Sequence, residues 1–381
     1  MILVIGQLGE KTPLRGVLRG SMSRTRALRC AAESDNAAAE RCMQGRAMKA
    51  IVSDQYGSPE RLELADIDKP AVDDGGVLVR VSATSVNPFD WHLMRGLPYF
   101  IRLTSGLRRP KRTVLGVDLA GTVEKVGLNM TQFRAGDEVF GTCNGAFAEY
   151  VCGREQDFAP RPIGLTFEQA AAIPIAACTA LQALRDRGRV EPGQRVLING
   201  AAGGVGTFAV QIAKAFGADV TGVCSTRNLE LVRSIGADQV IDYTAEDFTR
   251  SGRQYDLMLD TVGNRPLSEL RRAMAPKGTL LLVGGGGGRL LGPATQLLAA
   301  LVLSPFVSQR LLPVAARPTK HDLVVLKDLV EAGKITPVLD TVYPLTGAPD
   351  AIRHLETGHA RGKIVITMQM PPVEGASPTE P

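Results

Sequence analysis

Hydrophobic and polar positions change rhythm twice along the chain. From Met48 to about Pro162 they form short alternating runs, GVLVRVSATSVN, GVDLAGTVEKVG, GDEVFGTC and AFAEYVC, broken by Gly, Pro and Asp. Period-two alternation with such breakers predicts a β-rich, barrel-like domain. From Thr166 to about Leu303 strand-like runs (RVLING, ADVTGVCS, QVIDY, YDLMLDTVG, TLLLVGG) alternate with helical ones (VGTFAVQIAKAFG, LELVRSIG, PLSELRRAM). That alternation predicts an α/β unit, a parallel sheet covered by helices. After Pro313 a helix, HDLVVLKDLVEAG, and a strand, KIVITM, return the chain to the first domain. The expected organisation is therefore a leader (1–47), a barrel domain (48–165 and 311–370), an α/β domain (166–310) and a disordered tail (371–381), the last being proline-rich and polar.

Charge adds detail at the ends. The formal net charge is +5, but residues 1–47 hold eight basic and four acidic residues, leaving 36 basic against 35 acidic over the rest. A globally basic nucleic-acid footprint is thereby excluded for the body of the protein. The arginine-dotted leader lacks a signal-peptide apolar run, so a disordered leader, or a start codon upstream of a working Met48, is expected; an organelle transit peptide is the alternative. Six cysteines without a CxxC pair are read as free thiols in a reducing compartment, the cytoplasm. The apolar stretch Leu290–Val307 is interrupted by Gly292, Pro293, Thr295, Gln296 and Pro305, too broken for a stable membrane span. It reads as a helix lining an apolar pocket or packing on a second subunit, with a membrane-surface contact as a lesser alternative.

The strongest chemical motif is RVLINGAAGGVGTFAVQIAKAFGADVTGV. An apolar strand runs into Ala202, Gly203, Gly204, Val205 and Gly206 and then into an amphipathic helix. Glycines there let the backbone approach a pyrophosphate, whose charge the helix amino terminus stabilises. An NAD site would carry an acid about 20 residues further on. Here CSTRN supplies Ser225, Thr226 and Arg227, donors suited to a 2′-phosphate, so NADPH is the expected cofactor.

In order along the chain, NPFDWHLMRG, LGVDLAGTVEKVG, GDEVFG, AFAEYV, AAAIPIAACTALQAL, INGAAGGVG and HARGKIVI resemble the zinc-independent quinone-oxidoreductase branch of the medium-chain dehydrogenase/reductases. The resemblance runs from Met48 to Met368. It implies a GroES-like β-barrel catalytic domain joined to a doubly wound Rossmann cofactor domain, an active site in the cleft between them, and a homodimer. It also implies that zinc relatives place a cysteine where Asn87 stands, a His-Glu pair at Val117 and Asp118, and a third ligand near Ile175. Asn and Ile cannot complete a tetrahedral zinc set, so no metal is expected.

Without a Lewis acid, a substrate carrying its own electron sink is easier to reduce than an alcohol is to oxidise. Quinones and α,β-unsaturated carbonyls qualify, because the arriving hydride leaves charge on an oxygen that needs only hydrogen-bond donors and a proton. The resemblance places Asn87 at the former ligand position as a donor to the acceptor or nicotinamide. It gives Asp90 as part of the NPxD pattern, with a turn carboxylate bonding backbone amides as the alternative. His92, where relatives often carry tyrosine, is a candidate proton source at neutral pH, a structural histidine being the other reading. Thr179 is implied to face the nicotinamide and Tyr243 the adenosine phosphate, while the branch lysine of the second-strand turn is Asn228 here. Thr261, Val262, Val283 and Gly284 are implied at the nicotinamide edge through their backbone groups, and the glycine run 284–288 is longer than such contact needs.

The expected activity is metal-independent, NADPH-dependent reduction of a quinone or enone. A zinc-free carbonyl or alcohol oxidoreductase and a low-turnover cofactor-bound interaction protein are the alternatives. One motif stands apart from this chemistry. GLRRPKR, before the GVDLAG strand, is either a solvated loop or an attraction for an anionic substrate or lipid headgroups.

Overall fold

The computed structural model describes residues 47–283, 299–300 and 302–368. Its elements, in chain order, are β1 (Ala47–Val52), β2 (Glu63–Asp68), β3 (Gly76–Ser85), α1 (Pro88–Arg95), β4 (Asp118–Val126), β5 (Glu138–Thr142), β6 (Tyr150–Arg154), β7 (Phe158–Pro160), α2 (Phe167–Ala171) and α3 (Pro174–Leu181). They continue with β8 (Arg195–Asn199), α4 (Gly204–Ala215), β9 (Asp219–Cys224), α5 (Leu229–Ser234), β10 (Gln239–Asp242), β11 (Tyr255–Asp260), α6 (Leu267–Arg272), β12 (Met274–Leu282), β13 (Arg310–Pro313), α7 (Lys320–Glu331), β14 (Leu339–Pro344), α8 (Ala348–Glu356) and β15 (Lys363–Thr367).

Two sheets carry the two rhythms. The first, ordered β14-β15-β3-β4-β5-β7 with β6 also on β3, is antiparallel apart from its β14–β15 pair. Its core gathers Val77, Val79, Val81, Leu119, Val139 and Phe158. The second sheet is ordered β10-β9-β8-β11-β12-β13, every pair parallel. Reading outward from β8, this is the doubly wound order, whose switch point lies between β8 and β11 and opens a crevice at the strands' carboxyl ends. The GroES-like barrel and the Rossmann-type domain of the sequence reading are both present.

Burial explains why the middle strands read as unbroken apolar runs. Val196, Leu197 and Ile198 of β8 are fully buried because helices cover both faces of the sheet. Each such side chain stabilises the fold by roughly 1.5–3 kcal/mol. Helix α4 packs on α3, and its Phe208, Ala209, Ile212 and Ala213 join the large core under the sheet.

The expected return to the barrel at residue 311 needs correction. Arg310–Pro313 is the sixth strand of the parallel sheet, paired in register with Thr279–Leu282. Helix α7 then sets Leu323, Leu326 and Val330 into the core beneath α3 and α4. The apolar side of α7 needs a cover that only the α/β domain offers there, so the chain re-enters the barrel with β14. Among the described residues no helix is long and apolar enough to cross a membrane. Much of the interrupted apolar stretch, and the glycine run with Gly284, lie outside the described residues.

Candidate functional site

A cavity of about 920 Å³ separates the two sheets. One wall comes from α1 and β15 of the barrel, the other from the carboxyl ends of β8, β9, β11 and β12. Ala202, Gly203, Gly204 and Val205 line it, as do Ser225, Arg227, Tyr243, Thr261, Val262, Val283, Asn87, His92 and Thr179. The fold thus brings together residues from seven segments of the sequence reading. Asp90, Gly206 and Thr226 do not reach this surface, each for a different reason.

The glycine loop is shaped by close approach. Gly200 has φ +85°, and a Cβ there would lie 2.4 Å from Thr261 Oγ1. A Cβ on Gly206 would lie 2.0 Å from the Gly200 carbonyl oxygen, so Gly206 serves the turn rather than the cavity. Helix α4 then opens with its first amides, where the helical ladder provides no partner. A Cβ on Gly204 would sit 3.0 Å from Lys363 Cδ, filling a narrow cradle between the loop and β15. The Gly362 amide donates to the Ala202 carbonyl at 2.8 Å, so the barrel's last segment is stitched to this loop. These features fit a dinucleotide: the amides of Gly204 and Val205 would hold its pyrophosphate.

At the end of β9, Ser225 and Arg227 face the cavity and no carboxylate lines it there. Asn228 Nδ2 donates to Ser225 Oγ at 3.3 Å, leaving the hydroxyl proton available. One Arg227 N–H is spent on the His359 carbonyl at 2.6 Å, which spans the cleft; a guanidinium keeps four more. The buried Asn228 Oδ1 has no partner among the described residues. Thr226 is the correction in this group: its hydroxyl donates to Asp242 Oδ2 at 2.5 Å and meets Thr244 Oγ1 at 3.0 Å, turned toward β10. The side chain is held by a carboxylate and is not a phosphate donor.

The barrel wall is a closed polar network. Asn87 caps α1, and its Nδ2 donates to Asp118 Oδ2 at 2.9 Å and to the Ser85 carbonyl at 3.3 Å. Its Oδ1 accepts from Lys363 Nζ at 2.6 Å. Both amide hydrogens are used, so Asn87 is not a free donor to an acceptor or nicotinamide, contrary to the expectation above. Asp90 has 0% exposure; Oδ2 accepts from the Asn87 amide at 2.8 Å and Oδ1 from the Gly116 amide at 3.2 Å. It is the turn carboxylate of the alternative reading, and burial pushes its pKa up to about 7. Thr179 spends its hydroxyl proton on the Ile175 carbonyl at 2.7 Å, presenting only lone pairs.

His92 also changes role. Its Nδ1 lies 2.7 Å from the Leu97 carbonyl and so carries the proton, leaving Nε2 as an acceptor. The ring stacks on Trp91 with centroids 3.6 Å apart. Burial lowers its pKa to about 4. At neutral pH the imidazole is uncharged and its one proton is committed, so it is not the proton source expected from its position.

Two partners of the site were not singled out in the sequence. Lys363 is 3% exposed, 3.7 Å from Asp118 Oδ2, and donates to the Val86 carbonyl at 3.1 Å as well as to Asn87. Burial pushes the ammonium down and the Asp118 carboxyl up. Lys363 opens the apolar run KIVITM, far in sequence from every partner it meets here. The signal available was Asp118, a carboxylate inside the apolar run GVDLAG. Arg95, on the cavity rim, forms a two-point ion pair with Glu356 of α8 that sequence separation conceals.

The family model described as the alcohol dehydrogenase GroES-like domain matches residues 73–163, and that described as zinc-binding dehydrogenase matches 235–366. The chloroplast envelope quinone oxidoreductase homolog of Arabidopsis thaliana is 31% identical over 85% of this chain and 99% of its own. The mitochondrial NAD(P)H oxidoreductase RTN4IP1 of Homo sapiens is 34% identical over 84% of this chain and 89% of its own. The Escherichia coli quinone oxidoreductase complexed with NADPH superposes with a TM-score of 0.72 at 25% identity, covering 84% of this chain and 99% of that one.

A barrel and a doubly wound sheet meeting over a glycine-loop cavity define a nicotinamide-dependent oxidoreductase. This chain belongs to the medium-chain dehydrogenase/reductases, among their quinone oxidoreductase-like members. The zinc of one family description would need donors that Asn87 and Ile175 do not offer. Among the described residues no three His, Cys, Asp or Glu side chains converge, and Asn87 and Ile175 stand at implied ligand positions.

Proposed function

We propose that this protein is an NADPH-dependent, metal-independent reductase of quinones or α,β-unsaturated carbonyls. The observation that carries the reading is the pair of cavity ends: Ser225 and Arg227 without a facing carboxylate at one, a buried ammonium without metal ligands at the other. When bound, the nicotinamide supplies a hydride. Ser225 and Arg227 would hold the 2′-phosphate, Tyr243 would cover the adenosine side, and Thr179, Thr261, Val262 and Val283 would shape the nicotinamide side.

On the barrel wall Lys363 fixes the Asn87 carboxamide and adds positive potential where an acceptor oxygen gains charge. His92 offers Nε2 to a donor on the substrate, while Trp91 and Ile175 give a flat acceptor apolar walls. With the imidazole uncharged and the Asn87 and Thr179 protons committed, the final proton comes from water at the open end of the cavity. The names of the two quinone-oxidoreductase relatives support the acceptor class.

A homodimer fits β13, the end strand of the parallel sheet among the described residues, and the outward Phe306, 82% exposed. Unpaired Cys143, Cys152, Cys178 and Cys224 support a reducing compartment such as the cytoplasm. The test is turnover by purified protein with NADPH and NADH against quinones, enones, aldehydes and alcohols, with metal analysis. NADPH oxidation by quinones or enones alone is the expected result. Obligate NADH, aldehyde or alcohol turnover without quinone or enone turnover, or stoichiometric zinc would overturn it.

A further inference from the structure

Between Trp91 and Val117 the chain carries six Arg or Lys and no Asp or Glu, a bias the oxidoreductase reading leaves unused. The segment is a built platform. Tyr56 OH donates to the Gly106 carbonyl at 2.6 Å and meets Ser105 Oγ at 2.9 Å. The Lys111 amide donates to the Ser105 carbonyl at 2.7 Å, closing the turn. Arg102 is folded inward, its Nε on the Gly96 carbonyl at 3.0 Å and its guanidinium 4.5 Å above the Tyr56 ring. Arg112 bonds Asn144.

What projects from this base is of two kinds. Leu103 and Leu107, four residues apart, are 71% and 68% exposed. Arg108, Arg109 and Lys111 are exposed and make no side-chain hydrogen bond or ion pair among the described residues. A single exposed leucine is ordinary. Two beside three unopposed cations, on a loop whose base is hydrogen-bonded, match the requirements of a bilayer interface: apolar side chains for the acyl boundary and positive charge for anionic headgroups. RNA or an acidic protein tail would satisfy the charge and leave both leucines in water.

We propose that the segment from Leu103 to Arg112, the end of a helical turn (Arg102–Ser105) and the loop after it, docks on an anionic lipid surface, with Leu103 and Leu107 entering the headgroup boundary. The segment follows α1 after seven intervening residues, and Trp91, His92 and Arg95 of α1 line the cavity. Docking therefore brings the cavity wall beside the bilayer, where an apolar acceptor is concentrated. That consequence rests on the proposed function; the docking does not.

The test is flotation of the full chain with vesicles rich in phosphatidylglycerol against pure phosphatidylcholine vesicles. Preferential binding to the anionic vesicles, weakened by salt, is expected. Each of Arg108→Glu, Arg109→Glu and Lys111→Glu should weaken it about fivefold or more, and Leu103→Ser with Leu107→Ser about tenfold. Turnover of a water-soluble acceptor by these variants confirms that they fold. Where no acceptor turns over, melting temperature serves the same purpose, so failure of docking and failure of the proposed function are read separately. Equal binding to both vesicle types, binding unchanged in both sets of variants, or displacement by soluble glycerophosphate would overturn the proposal. So would leucine-independent binding to RNA in preference to vesicles.

Discussion

The two walls of the cleft are built on opposite principles. The barrel wall is buried and closed: Asn87, Asp90, Asp118 and Lys363 satisfy one another, each at most 3% exposed. The wall at the end of β9 is open, with Ser225 and Arg227 holding donors in reserve and Arg227 exposed to solvent. A buried charge that loses its partner keeps its desolvation cost, whereas an exposed one recovers water. Substitutions on the first wall should therefore register as stability and turnover together, and at Ser225 and Arg227 as cofactor choice alone.

The sharpest way to break this contrast is Lys363→Met. Leaving Asp118 buried without its ammonium should cost about 3–5 kcal/mol, read by chemical denaturation. Adding Asp118→Asn should recover part of the stability without restoring turnover. A single variant as stable as the parent would show that the ion pair is not what holds this wall. Next comes Gly206→Ala, whose Cβ would lie 2.0 Å from the Gly200 carbonyl. Overpacking of this kind costs about 1–3 kcal/mol, and affinity for both nicotinamide cofactors should fall together in a titration.

On the open wall, Arg227→Ala should raise KM for NADPH about 10–100-fold, the worth of a charged hydrogen bond. KM for NADH and the melting temperature should hardly move. Equal changes for the two cofactors would remove Arg227 from 2′-phosphate recognition and weaken the contrast.

The smallest effect is a matter of pH. His92, lowered to about 4 from an ordinary 6.5, lends stability that is complete above pH 6.5 and lost as pH falls through 4. Asp90, raised to about 7 from 3.8, has the opposite sign: its contribution is complete below about pH 4 and lost as pH rises through 7. The two oppose each other between pH 4 and 6.5. His92→Asn should unmask Asp90, so that the variant's melting temperature declines from pH 4 to 7 while the parent stays flatter. Parallel profiles would mean that one of the two groups titrates normally.

The open wall was the more legible one. Its residues follow one another along a strand, a glycine turn and a helix, and Gly203, Gly204, Ser225 and Arg227 lie where local spacing puts them. Thr226 went wrong because Asp242, on the next strand, claims its hydroxyl. The closed wall resisted reading because its partners come from far apart: Lys363 Nζ reaches Asn87 across 276 positions. His92 and Asp90 were visible as residues, but not the Leu97 carbonyl and Gly116 amide that fix what they do.

Hydrophobic periodicity and glycine spacing, properties of neighbouring residues, determined by themselves that this chain forms a barrel and a nucleotide-binding sheet. Only the tertiary structure decided which polar groups remain free to act. Burial and hydrogen-bond satisfaction depend on every segment that meets at a point, and no local pattern records them.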